Sequence, residues 1–284
     1  MKTPGTLYIV ATPIGNLEDI TFRAVRILKE VDLVAAEDTR HTRKLLTHFG
    51  ISKQLTSYFD HNKQLKGDAI LARLRDGASV ALVSDAGTPC IADPGYQLVR
   101  DAIAQGIAVV PIPGASAAIA ALSAAGLPTD SFTFIGFLPS RKGKRRQQLT
   151  TLRDEPRVLI FYEAPSRLMA TLADMRDMWG ERQLVVAREL TKIYEEFARG
   201  NTSKVIALFA DRQIKGEVVI LVSPSEDSGR GGESGEALDD VLRRYLLADG
   251  LSVKDAVKRT CVEMGRPRSE VYAEALRISR ESGR

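Results

Sequence analysis

The chain has 284 residues, 44% of them hydrophobic and 27% charged, which excludes a disordered or low-complexity polymer and provides for one large or two medium domains with real cores. A formal charge of +4 is compatible with an acidic partner such as nucleic acid without requiring one. Cys90 and Cys261 lie far apart, with no CxxC and no Cys/His cluster, which argues against a disulfide framework or a zinc site and for a reducing compartment.

The N-terminal stretch MKTPGTLYIVATP carries too few apolar residues for a signal peptide. Short apolar runs at Leu7–Ala11, Leu33–Ala36, Val80–Val83 and Ala108–Ile112 then read as buried strands. Helical patterns stand between them, as at Ile20–Glu30 and Gln97–Gln105. This alternation predicts a mostly parallel sheet covered by helices on both faces. The longest apolar stretch, 107–127, is cut by Pro111, Pro113 and Gly114, so no membrane span is expected. An Ala-rich helix, Ser116–Ala125, leads to a second set of strands at Phe132–Phe137, Val158–Tyr162, Leu184–Ala187 and Val218–Val222. Fewer helices separate these, which predicts some antiparallel pairing. The fold class is therefore α/β, with an N-terminal α/β domain over 1–115 and a second over 116–224. A Gly/Ser/Glu linker over 225–235 precedes a C-terminal helical region, 236–284. There Leu238, Val241, Leu242, Tyr245 and Leu246 share one helix face, and two shorter helices are expected after it. This region reads as a small helical appendage or a nucleic-acid-binding bundle.

The strand ends carry the chemistry, because ligands of open α/β sheets sit at the carboxyl ends of the strands. The first end, Ala11-Thr12-Pro13-Ile14-Gly15-Asn16-Leu17, has one glycine and a proline without an amide donor, unlike a dinucleotide fingerprint. No phosphate loop of the GxxxxGK[ST] type occurs anywhere. The second end is polar, Glu37-Asp38-Thr39-Arg40-His41-Thr42-Arg43, and reads either as a helix cap or as a wall at a substrate mouth. The third, Ser84-Asp85-Ala86-Gly87-Thr88-Pro89, begins with a carboxylate that would repel phosphate. Asp85 suits donors or positive charge, and otherwise reads as another cap. The fourth, Pro113-Gly114-Ala115-Ser116-Ala117, has small residues that leave room for a flat group, with Ser116 placed to cap the next helix. S-adenosylmethionine, with a ribose, an adenine, an ammonium and a sulfonium but no phosphate, matches these loops.

In this order, Thr12-Pro13-Ile14-Gly15-Asn16-Leu17, Ala36-Glu37-Asp38-Thr39-Arg40, Ser84–Pro89, Pro113-Gly114-Ala115, Gly136-Phe137-Leu138-Pro139, Phe161-Tyr162-Glu163 and Arg188-Glu189-Leu190-Thr191-Lys192 resemble the ribosomal RNA small subunit methyltransferase I family of the tetrapyrrole methylase superfamily. The resemblance is close over about 7–224 and loose over the C-terminal helices. Cys90 departs from it, standing where relatives often carry an apolar residue or glycine; at Ala115-Ser116 relatives vary. The resemblance implies a two-domain, tetrapyrrole-methylase-like, cytoplasmic homodimer that holds S-adenosylmethionine in the cleft between the domains. It implies 2′-O-methylation of a cytidine ribose in the decoding region of 16S rRNA, on the RNA or on the small ribosomal subunit. The corresponding cofactor contacts are Pro13, Gly15, Asp85, Ala86, Gly87, Pro89, Ser116, Ala117 and Tyr162.

Methyl transfer needs alignment of donor carbon and acceptor oxygen, and removal of the acceptor proton. Glu37, Asp38, Glu163 and Glu189 all stand as candidate bases, and Arg40 and Lys192 as groups that hold phosphate or polarise the oxygen. An ion pair of purely structural value is the alternative for each. No metal is expected, since His41, His48 and His61 show no ligand spacing. The run Arg141-Lys142-Gly143-Lys144-Arg145-Arg146, with only Asp154 and Glu155 as acidic neighbours, reads as a loop overhanging the cleft. Arg141, Lys142, Lys144, Arg145 and Arg146 are its candidate RNA contacts. Competing readings are a corrin-precursor C-methyltransferase, a non-catalytic RNA-binding ribosome assembly factor and a nicotinamide oxidoreductase; the missing glycine fingerprint weighs against the last.

Overall fold

The computed structural model describes residues 3–59, 63–225, 238–264 and 266–281. Residues 226–235 of the expected linker and His61 lie outside the described residues. Strands β1 (Thr6–Val10), β2 (Leu33–Ala36), β3 (Leu55–Ser57), β4 (Val80–Val83) and β5 (Ala108–Ile112) form a parallel sheet in the order β3-β2-β4-β1-β5. Helices α1 (Phe22–Glu30), α2 (Thr39–His48), α3 (Lys63–Arg75) and α4 (Tyr96–Ala104) cover it. Side chains alternate across a strand, so one apolar run feeds two cores. Leu7, Leu33, Ala35, Val80 and Leu82 pack under Ile70 and Leu74 of α3 and Leu98 and Ala102 of α4. Val10, Val34, Ala36, Ala81 and Val83 pack under Ile27 and Leu28 of α1 and Leu46 of α2. The run read as one strand of this sheet, Val80–Val83, is thus buried on both sides.

Helix α5 (Ala117–Ala125) leads to the second sheet, built from β6 (Phe132–Phe137), β7 (Val158–Glu163), β8 (Gln183–Arg188), β9 (Glu196–Asn201) and β10 (Val218–Val222). Its order is β6-β7-β10-β8-β9, parallel only between β6 and β7. The antiparallel pairing expected from the sparse helices is present. Ala118, Ala121, Leu122 and Ala125 of α5 close one face of the sheet over Ile160, Val185, Val219 and Leu221. Helices α6 (Lys142–Thr151), α7 (Leu168–Trp179) and α8 (Thr202–Phe209) complete this half, and Phe161 of β7 meets Trp179 of α7.

Contacts group the chain into two compact units. The first is Met1–Leu149 with Val158–Ser223 and holds both sheets; the second is Thr150–Arg157 with Pro224–Arg284. Within the second, α9 (Leu238–Arg243) continues into a π-helical turn, Arg244–Ala248, and is followed by α10 (Val253–Met264) and α11 (Arg268–Glu281). Val241, Leu242 and Leu246 are buried as the periodicity predicts. The two following helices, however, are longer than the first, at 12 and 14 residues against 6. They share one core through Ala256, Val257, Val271, Ala275 and Ile278.

Candidate active site

Strands β1 and β4 are neighbours, so the loops at their carboxyl ends meet. Thr12 and Gly87 exchange both backbone hydrogen bonds, at 2.9 and 3.0 Å, with Gly87 at φ +81°. The Thr12 hydroxyl also donates to the Ser84 carbonyl at 3.2 Å. Thr88 donates to the Ala115 carbonyl after β5 at 3.2 Å, and Asp85 Oδ1 accepts from the Asp38 amide after β2 at 3.0 Å. These bonds fix the loops of four parallel strands into one surface.

Above that surface lies a cavity of about 430 Å³, within the range of a small-ligand site. Asp85, Ala86, Gly87, Ser116, Ala117 and Tyr162, all expected cofactor contacts, line it, together with Glu37 and Glu163. Among the described residues no lysine or arginine lines it. Asp85 and Asp93 both face it, and burial pushes the Asp93 carboxyl up; a Ser84 hydrogen bond opposes this, and the Asp85 charge adds to it. Burial likewise raises the Tyr162 phenol. The Tyr162 oxygen accepts from the Ala118 amide, in the first turn of α5, at 3.2 Å. Ser116 stands at the N-cap position of α5 without a side-chain cap bond, its hydroxyl paired with Tyr162 instead. Phe134 and Phe137 flank the Tyr162 ring edge-on, at 5.0 and 5.7 Å.

A second cavity of about 530 Å³ holds the expected Pro13, Gly15 and Lys192, joined by His41 and Lys44 of α2. Ile14, Asp85, Ala86 and Glu217 line both cavities and so mark the edge they share. Gly15 permits the close approach that this requires, since a Cβ there would fall 2.5 Å from Lys192 Cγ and 2.9 Å from the Leu190 carbonyl oxygen. Lys192 Nζ donates to Glu189 Oε1 at 2.9 Å and lies 3.6 Å from Glu217 Oε2. Burial alone would raise Glu189, but the Lys192 hydrogen bond and charge and the Glu217 amide outweigh it and hold the carboxyl below its usual range. Lys192 is correspondingly raised: burial opposes its charge, and the bonds and charges of Glu189 and Glu217 prevail. Glu189 and Thr191 occupy left-handed backbone, at φ 51° and 64°, as do Cys90 and Ala92 in the loop after β4, at 71° and 63°.

Several expected site residues fall elsewhere or are fully engaged in structural bonds. Pro89 lines neither cavity. Asp38 is the cap of α2, accepting from the Arg40 amide at 2.8 Å and pairing with the Arg40 guanidinium at 2.7 Å. That side-chain bond holds the Asp38 carboxyl far below its usual range, the wrong direction for a base near neutral pH. Arg40, 88% exposed, lies on an open groove along α2 instead. Glu163 is buried and fully engaged: Oε1 accepts from the Ala164 amide at 2.8 Å and from Arg167 at 2.5 Å, and Oε2 accepts from Thr171 at 2.6 Å. Three donors on a dry carboxylate describe an anchor for the turn after β7 rather than a base.

The basic run is corrected in form. It begins α6 rather than a loop, and Arg145 is buried. Its guanidinium grips Asp174 of α7 at 2.6 and 2.8 Å, while Arg146 reaches Asp174 and Asp177, each at 3.0 Å. The acids that pair with this run come from a distant helix, not from Asp154 and Glu155. Arg141, Lys142 and Lys144 remain exposed. The sequence reading missed Thr88, Asp93, Phe137 and Glu217 as cavity residues. Asp93 had a signal, an acid beside Pro94 and Gly95 in the same loop as Asp85. Glu217 had none, because it precedes its strand. Strand β10 runs antiparallel to β7 with Val218 opposite Glu163, which brings the start of one strand to the carboxyl end of the other.

The family model described as Tetrapyrrole (Corrin/Porphyrin) Methylases matches residues 6–206. The chain is 50% identical over 270 residues to ribosomal RNA small subunit methyltransferase I of Halalkalibacterium halodurans, covering 94% of this chain and 93% of that protein. The like-named protein of Pseudomonas aeruginosa is 49% identical over 279 residues, with 96% and 97% covered, and that of Escherichia coli O157:H7 is 47% identical over 279 residues, with 97% and 96% covered. Among solved structures, diphthine synthase superposes with a TM-score of 0.62 at 16% identity, covering 77% of this chain and 90% of that one. Uroporphyrin-III C-methyltransferase from Thermus thermophilus, complexed with S-adenosylhomocysteine, does so with 0.56 at 17% identity, covering 77% and 97%. A family model over most of the chain and near-full-length relatives at about half identity agree with the motifs of the strand ends: the chain belongs to the tetrapyrrole methylase family, among its ribosomal RNA small subunit methyltransferase I members.

Proposed function

We propose that the chain transfers a methyl group from S-adenosylmethionine to the 2′-oxygen of a cytidine ribose in the decoding region of 16S rRNA. The observation that carries this reading is the pair of abutting cavities. One is lined by carboxylates and, among the described residues, by no lysine or arginine; the other is lined by Lys44 and Lys192, and Asp85, Ala86, Ile14 and Glu217 are common to both. The first suits a cationic, phosphate-free donor; the second suits a nucleotide with its phosphate. Asp85, Ala86, Gly87, Ser116, Ala117 and Tyr162 are the residues that would hold S-adenosylmethionine, which supplies an activated methyl group when bound. Asp85 and Asp93 favour positive charge, and the small side chains of Ala86, Gly87 and Ala117 admit a flat ring.

In the second cavity the acceptor ribose lies at the shared edge, with its 2′-oxygen facing the donor methyl group. Glu217 takes the acceptor proton on its carboxylate, since it lines both cavities and stands beside Lys192. Protonated Lys192, aimed by Glu189, stabilises the negative charge that develops on the acceptor oxygen. Glu37 lines the donor cavity and contributes to its negative potential. Arg141, Lys142 and Lys144 on α6 contact RNA phosphates. The enzyme works in the cytoplasm as a homodimer, and among the described residues no helix is long and apolar enough to cross a membrane.

Undermethylated small subunits incubated with labelled S-adenosylmethionine test the reading: the label should map to one cytidine ribose, and a label on a base or on no RNA overturns it. Glu217→Gln should lower turnover by about 10²–10⁴-fold with donor affinity unchanged. Light scattering that reports a monomer at micromolar concentration rejects the dimer.

A further inference from the structure

Helix α2 has an unusual composition for an exposed helix. Its ten residues, Thr39-Arg40-His41-Thr42-Arg43-Lys44-Leu45-Leu46-Thr47-His48, include no acid. Thr42, Leu45 and Leu46 are buried, which fixes its orientation. Arg40, Arg43, Lys44, Thr47 and His48 therefore fall on the outward side, at spacings of three and four, and line one open groove. Some exposed arginines on other helices are paired locally, as Arg26 with Glu30 and Arg100 with Asp101. On α2 only Arg40 is paired, with its own cap residue. Arg43 and Lys44 have no ion pair or side-chain hydrogen bond among the described residues.

A solvated basic face need go nowhere, but this one leads into the site. Lys44 lines both the groove and the second cavity, and His41 lines that cavity one turn earlier. From Arg40 to His48 the stripe runs about 12 Å at 1.5 Å per residue, room for a few consecutive phosphates. Its wall offers Arg and Lys donors with no carboxylate from α2 to repel a polyanion.

We infer that the outward face of α2 is a backbone track for single-stranded RNA, with Arg43 and Lys44 holding the phosphates next to the nucleotide in the second cavity. The inference rests on the proposed methyl transfer to RNA and adds where the strand enters. It makes α2, and not only α6, responsible for substrate affinity, and it makes the recognition electrostatic and independent of base identity along this stretch.

The test uses the full-length protein, a cytidine-containing single-stranded RNA oligonucleotide and S-adenosylmethionine. RNA is titrated at several salt concentrations with wild type, with the double variant Arg43→Ala, Lys44→Ala and with Lys142→Ala, Lys144→Ala for comparison. Each single-strand phosphate contact contributes a slope of about 0.7 in log K against log salt, so the α2 variant should lose about 1.4. Affinity for S-adenosylmethionine by calorimetry should equal that of wild type, which also shows that the variant is folded. Parallel salt lines for wild type and the α2 variant overturn the inference, as does a wild-type protein that binds no RNA. Failure of wild type to bind S-adenosylmethionine while the slope still falls would instead overturn the proposed methyl transfer and leave the RNA track standing.

Discussion

Removing the Arg145 guanidinium should cost stability and leave ligand binding alone. Arg145 and Asp174 have side chains only 6% and 3% exposed, and two bonds of 2.6 and 2.8 Å run from the guanidinium to Asp174 Oδ2. In Arg145→Met that oxygen stays buried with no donor. Breaking a buried pair from one side costs about 3–5 kcal/mol, because the remaining charge is uncompensated. Asp174 Oδ1 still accepts from Arg146 at 3.0 Å, which places the cost at the lower end, about 3 kcal/mol. For a unit of this size about 2–4 °C is lost per kcal/mol, so Tm should fall by roughly 6–12 °C. Combining it with Asp174→Leu should recover much of the loss, since an apolar pair of similar volume avoids the desolvation penalty. Urea unfolding and thermal scans provide the measurement, with RNA titration alongside. If Arg145→Met unfolds like wild type but binds RNA more weakly, Arg145 is a substrate contact and the structural assignment fails.

Asp85→Ala should weaken S-adenosylmethionine binding by about 1–3 kcal/mol, the range for a hydrogen bond to a charged group, as read by calorimetry; unchanged affinity refutes its place in the donor cavity. Gly216→Ala puts a Cβ 1.8 Å from Glu189 Oε1 at φ +83°, so it should destabilise the fold by about 1–3 kcal/mol in urea titration and displace the Glu189–Lys192 pair. The pair also sets a pH window. Glu189 is held low, so its contribution is full above the ordinary carboxylate range and lost as pH falls through its lowered value. Lys192 is held high, so its contribution is full below the ordinary lysine range and lost as pH rises through its raised value. Lys192→Met should therefore flatten both limbs of the stability–pH curve, and a curve superimposable on that of wild type refutes the coupling.

The parallel sheet was legible because its central strands β2 and β4 are uninterrupted apolar runs buried on both faces, and β1 and β5 are apolar runs of partial burial beside them. Strand β3 was not: Leu55–Ser57 is three residues long and none is fully buried. Strand β9 pairs on one side only, with β8, and its sequence EFARGN carries charge and glycine, so no periodicity marks it. The lining of the first cavity was legible at Asp85, Gly87 and Ala117 because parallel strands gather their carboxyl-end loops at one edge. Glu217 escaped that rule because β10 runs the other way. Arg145 escaped because its partner is 29 residues away, and a local count of acids sees only the chain neighbours. Burial of a basic side chain is decided by tertiary pairing, which charge patterning along one segment does not contain.

The rung between Thr12 and Gly87 bears on how large a group the site can transfer. Ile14 and Ala86, each within two residues of the rung, line both cavities, so their shared edge is anchored by doubly bonded backbone rather than carried on a free loop. On the proposed assignment donor and acceptor meet at that edge, which does not yield to either, so the gap between donor sulfur and acceptor oxygen is set by the protein. On the proposed assignment, an ethyl-bearing donor analogue would add about 1.5 Å of carbon chain to a gap with no slack. Misplacement by about 1 Å is enough to cost roughly 10²-fold in rate. The site should thus be intolerant of synthetic donors with longer alkyl groups, and widening it would call for Ala86→Gly at the shared edge.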